Sequence, residues 1–358
     1  MEFGIQFFPD VQPEQKSGKQ YFEEALHLVS LCDQLGYTSI RIVEHYFHYY
    51  GGYSPNPILF LAAASQRTKH AKLITGAVLP AFNNPLKLAG EIGMLDAICG
   101  GRLEIGFARA FLPHEFDRFG VQLSESKVRF EEGIEQVRRL LEEENVSQEG
   151  KFHRFKNVTS LPRPTQKPRP PFWRAALATP DSFISAGKKG YGVMAIPLAG
   201  GKMAELIGLY REAWKSAGHP GQGKLMLAFH MFCAQTQQEA IDISRKPLND
   251  YLTSLVDAAS DWTSGRSSRD YPNYDKIIAG LEKETFETQV KKGAAWIGTP
   301  KELREAIADY YHEVGGFNIA SMQVNFNTLP VEAAEASMRL FSKQVMPHFA
   351  DFESKSGV

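Results

Sequence analysis

Cysteine is scarce in this chain of 358 residues. Its three cysteines, Cys32, Cys99 and Cys233, are widely spaced and form no C-x-x-C pair. An odd, scattered set argues against a disulfide framework and a structural zinc site, and points to a reducing compartment. An excess of charge of either sign is also missing: 40 Lys and Arg against 41 Asp and Glu leave a formal net charge of −1. That balance gives no electrostatic reason to expect nucleic acid or an anionic membrane as a partner. No stretch reaches the ~18 consecutive apolar residues of a membrane span. The start, MEFGIQFFPD, lacks the basic and apolar regions of a signal peptide. A cytoplasmic protein is expected.

What the chain does have is alternation. Eight short apolar or β-branched runs are expected as strands, at 3–8, 37–43, 71–80, 102–107, 171–175, 192–196, 224–235 and 318–324. Segments with helical spacing separate them, at 21–35, 57–68, 85–99, 124–145, 180–189, 203–218 and 238–258, and another closes the series at 331–345. Strands joined by helices imply a parallel sheet with crossover connections. Eight units favour an α/β fold of the (β/α)8 TIM-barrel type over an open doubly wound sheet. One domain, 1–358, is expected, with insertions after strand four (an excursion or short hairpin at 146–170) and strand seven (a polar lid at 260–278).

Barrels of this kind place their chemistry at the C-terminal ends of the strands. After strand two comes Glu44-His45-Tyr46-Phe47-His48-Tyr49-Tyr50-Gly51-Gly52. His45 suits proton transfer near neutral pH, although a rim histidine satisfied by one hydrogen bond would look the same. His45 and His48 form H-x-x-H without the Glu of a zinc-protease motif, so no metal site is expected. After strand four, Arg109 stands between Ala108 and Ala110, where its planar fork would suit a phosphate or a structural ion pair. After strand five, Ala178-Thr179-Pro180-Asp181-Ser182 reads as a loop entering a helix, with Thr179 as N-cap and Pro180 as first helical residue. Helix starts of that kind bind anions. The aromatics Phe7, Phe8, Tyr46, Phe47, Tyr49, Tyr50 and Phe111 are expected near the mouth, lining a pocket or packing under loops.

Several motifs in order resemble the bacterial-luciferase-like flavin-dependent monooxygenases. They are Val43-Glu44-His45 before a Gly-rich loop, Pro55-Asn56-Pro57, the run AAASQRT at 62–68, and Asn84-Pro85 after the third strand. The most specific block runs from Leu95-Asp96 through Gly100-Gly101-Arg102-Leu103 to Ile105-Gly106, and Gly298-Thr299-Pro300 follows near the C-terminus. The resemblance implies a barrel using reduced FMN and O2 to oxygenate a small organic substrate through a flavin peroxide. It further implies a flavin reductase as partner and a homodimer through helices flanking strands two and three. His45 matches the family's catalytic histidine and Arg109 its phosphate-binding arginine. Ala178, Thr179 and Ser182 match its phosphate loop. The segment 76–79, with Ala77, matches a non-proline cis peptide beneath the flavin. Ala108 stands where the luciferase subunit has a reactive cysteine, so no thiol is expected beside the flavin. A deazaflavin- or FMN-dependent reductase and a flavin-binding protein without turnover remain the alternatives.

Overall fold

The computed structural model describes residues 1–350 and 352; residues 351 and 353–358 of the expected domain lie outside the described residues. The strands, in chain order, are β1 (Glu2–Phe7), β2 (Ser39–Ile42), β3 (Lys72–Val78), β4 (Leu103–Phe107), β5 (Val146–Glu149), β6 (Arg154–Val158), β7 (Phe172–Ala176), β8 (Gly192–Ala195), β9 (Leu225–Cys233), β10 (Ala295–Gly298) and β11 (Ile319–Gln323). Eight of them close a parallel barrel in the order β1-β2-β3-β4-β7-β8-β9-β11, and β11 returns to β1. These eight are the expected ones. Strands covered on both faces read as near-continuous apolar runs, which is why β3 (KLITGAV) and β4 (LEIGF) stand out in the sequence.

The barrel is packed inside and out. Within it, Ile74, Trp173, Met194, Met226 and Ile319 form a buried plug. Trp173 Nε1 donates to Glu104 Oε2 at 2.6 Å, and Lys72 pairs with Glu104 at 2.9 Å, so the plug's one buried carboxylate is satisfied. Outside, the helices cover the strands through Ile5, Leu28, Leu61, Ile92 and their neighbours.

The family-like block at 95–106 proves to be architectural. Asp96 accepts from Gln166 N at 2.9 Å and from its amide at 2.7 Å. Arg102 donates to the carbonyls of Ser65, Thr68, Ala71 and Cys99, tying two helix ends to the base of β4. Likewise Thr299 and Glu302 form a capping box that starts the helix Pro300–Glu313. The basic loop 163–169 is structural too: Arg163 caps Leu140, Leu141 and Glu143 carbonyls, and Arg169 pairs with Glu142.

Several expectations need correction. The helix expected at 21–35 breaks at Leu31 into Gly18–Ser30 and Cys32–Leu35. The one expected at 124–145 is a 3-10 turn, Leu123–Glu125, followed by Ser126–Glu142. The four-residue β10 escaped notice; it pairs with His230–Cys233, the part of β9 extending beyond its contact with β8. The segment expected as a polar lid carries a 3-10 turn, Ser260–Trp262, and enters the helix Tyr274–Leu281. It buries Trp262, Tyr271 and Tyr274, with Trp262 Nε1 donating to Phe111 O at 2.9 Å. The longest connections follow β4, where the β5–β6 hairpin lies, and β9. Each leaves the barrel at the C-terminal end of its strand, the barrel's mouth.

Candidate active site

At that mouth the ends of β2, β3, β4, β7 and β8 surround a cavity of about 890 Å³, counting its open entrance. His45, Ala77, Ala108, Arg109, Thr179 and Ser182 all line it. Ala178 sits in the same loop but is not part of the cavity wall.

His45 is held on three sides. Its backbone N–H donates to Ser54 O at 3.1 Å. Its ring lies 5.4 Å from both the Phe8 and Tyr50 rings. Gly51, at φ +81°, packs on it so closely that a Cβ there would lie 2.8 Å from the imidazole. Nδ1 is 3.1 Å from Oε1 of Glu115, which also accepts from Tyr46 N at 2.9 Å. Glu115 is fully buried, and its second oxygen has no partner. A carboxylate only accepts, so the Nδ1 proton donates to it and Nε2 is left to face the cavity.

Two further groups were missed by the sequence reading. Glu115 lies on the short helix Pro113–Arg118, an element without a clear periodic signal. Arg41, on β2, reaches the cavity floor; it donates to Gly76 O at 2.9 Å and to Gln6 Oε1, and its buried Nε is unpartnered. A Cβ on Gly76 would sit 2.0 Å from that Nε, so only glycine fits there. Burial pushes the Arg41 guanidinium down to about 10, which leaves it charged at neutral pH. An arginine inside the apolar run SIRI was the available signal. Glu44, beside His45, accepts from Tyr46 OH at 2.6 Å, Asn83 Nδ2 at 2.9 Å and Leu79 N at 3.2 Å. Burial outweighs these donors and pushes its carboxyl up to about 8.

The peptide between Gly76 and Ala77 is cis, within the segment the resemblance marked. Arg109 lies over the Tyr271 ring at 4.2 Å and forms no ion pair among the described residues. Thr179 occupies the N-cap of Pro180–Lys189, but its hydroxyl makes no capping bond. Cation and helix start therefore face one space, the first held by the Tyr271 and Tyr274 side chains without an ion pair among the described residues and the second without a side-chain cap.

The aromatic cluster divides. Phe8, Tyr50 and Phe111 surround His45, whereas Phe7 turns into the core against Phe60. Phe47 and Tyr49 are exposed, and Tyr46 packs on Phe119. His48 is engaged by Asp257 at 3.1 Å in an outer cleft, away from His45's cavity. No group of three or more His, Cys, Asp or Glu able to hold a metal occurs among the described residues.

The family model for luciferase-like monooxygenases matches residues 1–317. The chain belongs to this family. The oxygenase component of a flavin-dependent trigonelline monooxygenase from Acinetobacter baylyi is 28% identical, over 98% of this chain and 96% of its own. The crystal structure of the monooxygenase RslO1 from Streptomyces bottropensis superposes with a TM-score of 0.87 at 42% identity, covering 98% of this chain and 100% of that one. The fold is also that of the FMN-bound oxygenating constituent of 3,6-diketocamphane monooxygenase from Pseudomonas putida, at TM-score 0.80, 22% identity and 97% and 98% coverage.

Proposed function

We propose that this family member is the oxygenase of a two-component system that uses reduced FMN and O2 to oxygenate a small organic substrate. The observation that carries this reading is one cavity holding an arginine that has no ion pair among the described residues, a helix start without a side-chain cap and a histidine oriented by a buried carboxylate.

The residues fit FMN. Arg109 would pair bidentately with the phosphate, and the loop Ala178–Ser182 would add backbone and hydroxyl donors. The small side chains of Ala77 and Ala108 leave room for a flat ring system above the cavity floor. Reduced FMN, when bound, supplies two electrons to O2, so that one oxygen atom enters the substrate and the other leaves as water. The chain's own part is positioning and proton control. His45 accepts a proton at Nε2 and, once charged, can return it, and Glu115 keeps the neutral ring in the Nδ1–H tautomer that leaves Nε2 free to accept. Phe111 and Tyr274 in the cavity wall restrict water. Ala108 offers no thiol to divert the flavin.

The trigonelline enzyme is named as an oxygenase component, which supports a separate flavin reductase as this chain's partner. A homodimer is part of the same reading. The helices Pro57–Ser65 and Pro85–Ile98, which flank β2 and β3, expose Leu59 (73%), Met94 (58%) and Ile98 (44%). Titration with FMN and riboflavin under anaerobic reduction tests the phosphate assignment. Tight FMN binding with weak riboflavin binding is the expected result.

A further inference from the structure

Behind the Phe111–Tyr274 wall lies a second, larger chamber of about 1190 Å³, again counting open space. The two cavities share Phe111, Leu177, Ile196 and Tyr274 as a common partition. The chamber's sides are aromatic and aliphatic: Tyr50, Tyr251, Leu252, Leu255, Ile278 and Leu281. At the rim, its charged residues Glu284 and Lys292 pair with each other.

The chamber's unpartnered polar groups lie on neighbouring barrel strands. His230 on β9 and Gln323 on β11 are register partners, and both line the chamber. Neighbouring strands run about 5 Å apart, so the two side chains stand next to each other. Each carries a buried polar atom without a partner: Nε2 of His230 and Oε1 of Gln323. The Gln323 amide nitrogen donates to Phe8 O at 3.4 Å, which turns Oε1 away from that carbonyl. Gln6 beside them is engaged by Arg41 and Ser321. Buried polar atoms in native proteins are nearly always satisfied, and two neighbouring exceptions in a cavity wall mark a place for a ligand group.

We propose that this chamber is the organic substrate's site, and that His230 and Gln323 together hold a hydroxyl group of a neutral, ring-bearing substrate. The proposal rests on the oxygenase reading above, whose substrate it describes. A hydroxyl is the smallest group that accepts from one partner and donates to another at once. In its Nε2–H tautomer, His230 would donate to the hydroxyl oxygen while the hydroxyl proton goes to Gln323 Oε1. Burial pushes the His230 imidazole down to about 3, so it stays neutral at working pH and offers no charge to an anion. A carboxylate would meet the lone pairs of Gln323, and the cation that lines the chamber, Lys292, is paired with Glu284. With the hydroxyl anchored at the strands, the flat walls orient the rest of the molecule toward the shared partition, and so toward His45's cavity.

The test is equilibrium binding of naphthalene, 2-naphthol and 2-naphthoate to the full chain, without oxygen or turnover. We expect 2-naphthol to bind roughly tenfold tighter than naphthalene, one good hydrogen bond's worth, and 2-naphthoate to bind weakest. Gln323→Leu and His230→Phe, checked for folding by thermal unfolding, should erase the preference for 2-naphthol while leaving naphthalene and FMN affinities unchanged. Equal binding of 2-naphthol and naphthalene to the unsubstituted protein would overturn the proposal, as would a preference that survives both substitutions. FMN binding is read separately. A protein that shows the 2-naphthol pattern but binds no flavin would sink the oxygenase reading and keep the hydroxyl site.

Discussion

His45 Nδ1 stands 3.1 Å from Oε1 of Glu115, a residue 70 positions later and fully buried. The pair joins the end of β2 to the short helix after β4. One bond fixes both the ring's orientation and its tautomer. Glu115→Gln keeps the shape but offers Nδ1 an amide that can turn either its donor or its acceptor. Turnover should fall roughly 10- to 100-fold while FMN affinity holds, by analogy with other partners that orient a histidine. His45→Ala should cost more, about 10²–10⁴ in turnover. Steady-state rates and FMN titrations on both variants check the order.

Arg109 sits over Tyr271 at 4.2 Å and forms no ion pair among the described residues. Arg109→Ala should weaken FMN by about 10- to 100-fold, the worth of a charge-assisted contact of ~1.5–3 kcal/mol. Riboflavin, which lacks the phosphate, should bind both proteins alike. Fluorescence titration of the two flavins reads this directly.

Gly51 has φ +81°, and an added Cβ would press on the His45 ring at 2.8 Å. Gly51→Ala should destabilise the fold by about 1–3 kcal/mol from backbone strain. Because the ring must move as well, turnover should fall further than stability alone explains. Thermal unfolding and rates measured together separate the two effects.

Glu44 has its carboxyl pushed up to about 8 by burial, from 4.5. The folded protein therefore holds a proton that the unfolded chain releases between those pH values. Stability from this group is fully present below pH 4.5 and is lost as pH rises through 8. Asp10, pushed up by burial to about 8, adds to the same slope. In Glu44→Gln the fall in unfolding temperature between pH 5 and about 8 should be shallower than in the unsubstituted protein. Unfolding scans across that range decide it.

The barrel was legible because its signal repeats. Eight apolar runs spaced by helical segments leave few other folds, and all eight became barrel strands. What failed was short or set by distant contacts. β10 is AWIG, four residues paired only with the end of β9, too brief for periodicity to mark. Phe7 and Phe8 are sequence neighbours, yet strand alternation sends one to the core and the other to His45. For the cavity, His45 and Arg109 could be read from strand ends. Glu115 and the His230–Gln323 pair could not, because each matters only through a residue far away in the chain. Arg41 was visible as a charge in an apolar strand, the kind of local inconsistency that marks a site.

The most direct test of the central claim is to bind reduced FMN to the protein without oxygen, then mix with oxygenated buffer and follow flavin absorbance. Reduced FMN should bind tightly and reoxidise in two resolved phases, the second slowed relative to free flavin. Absence of binding, or reoxidation indistinguishable from that of free reduced FMN, would contradict it.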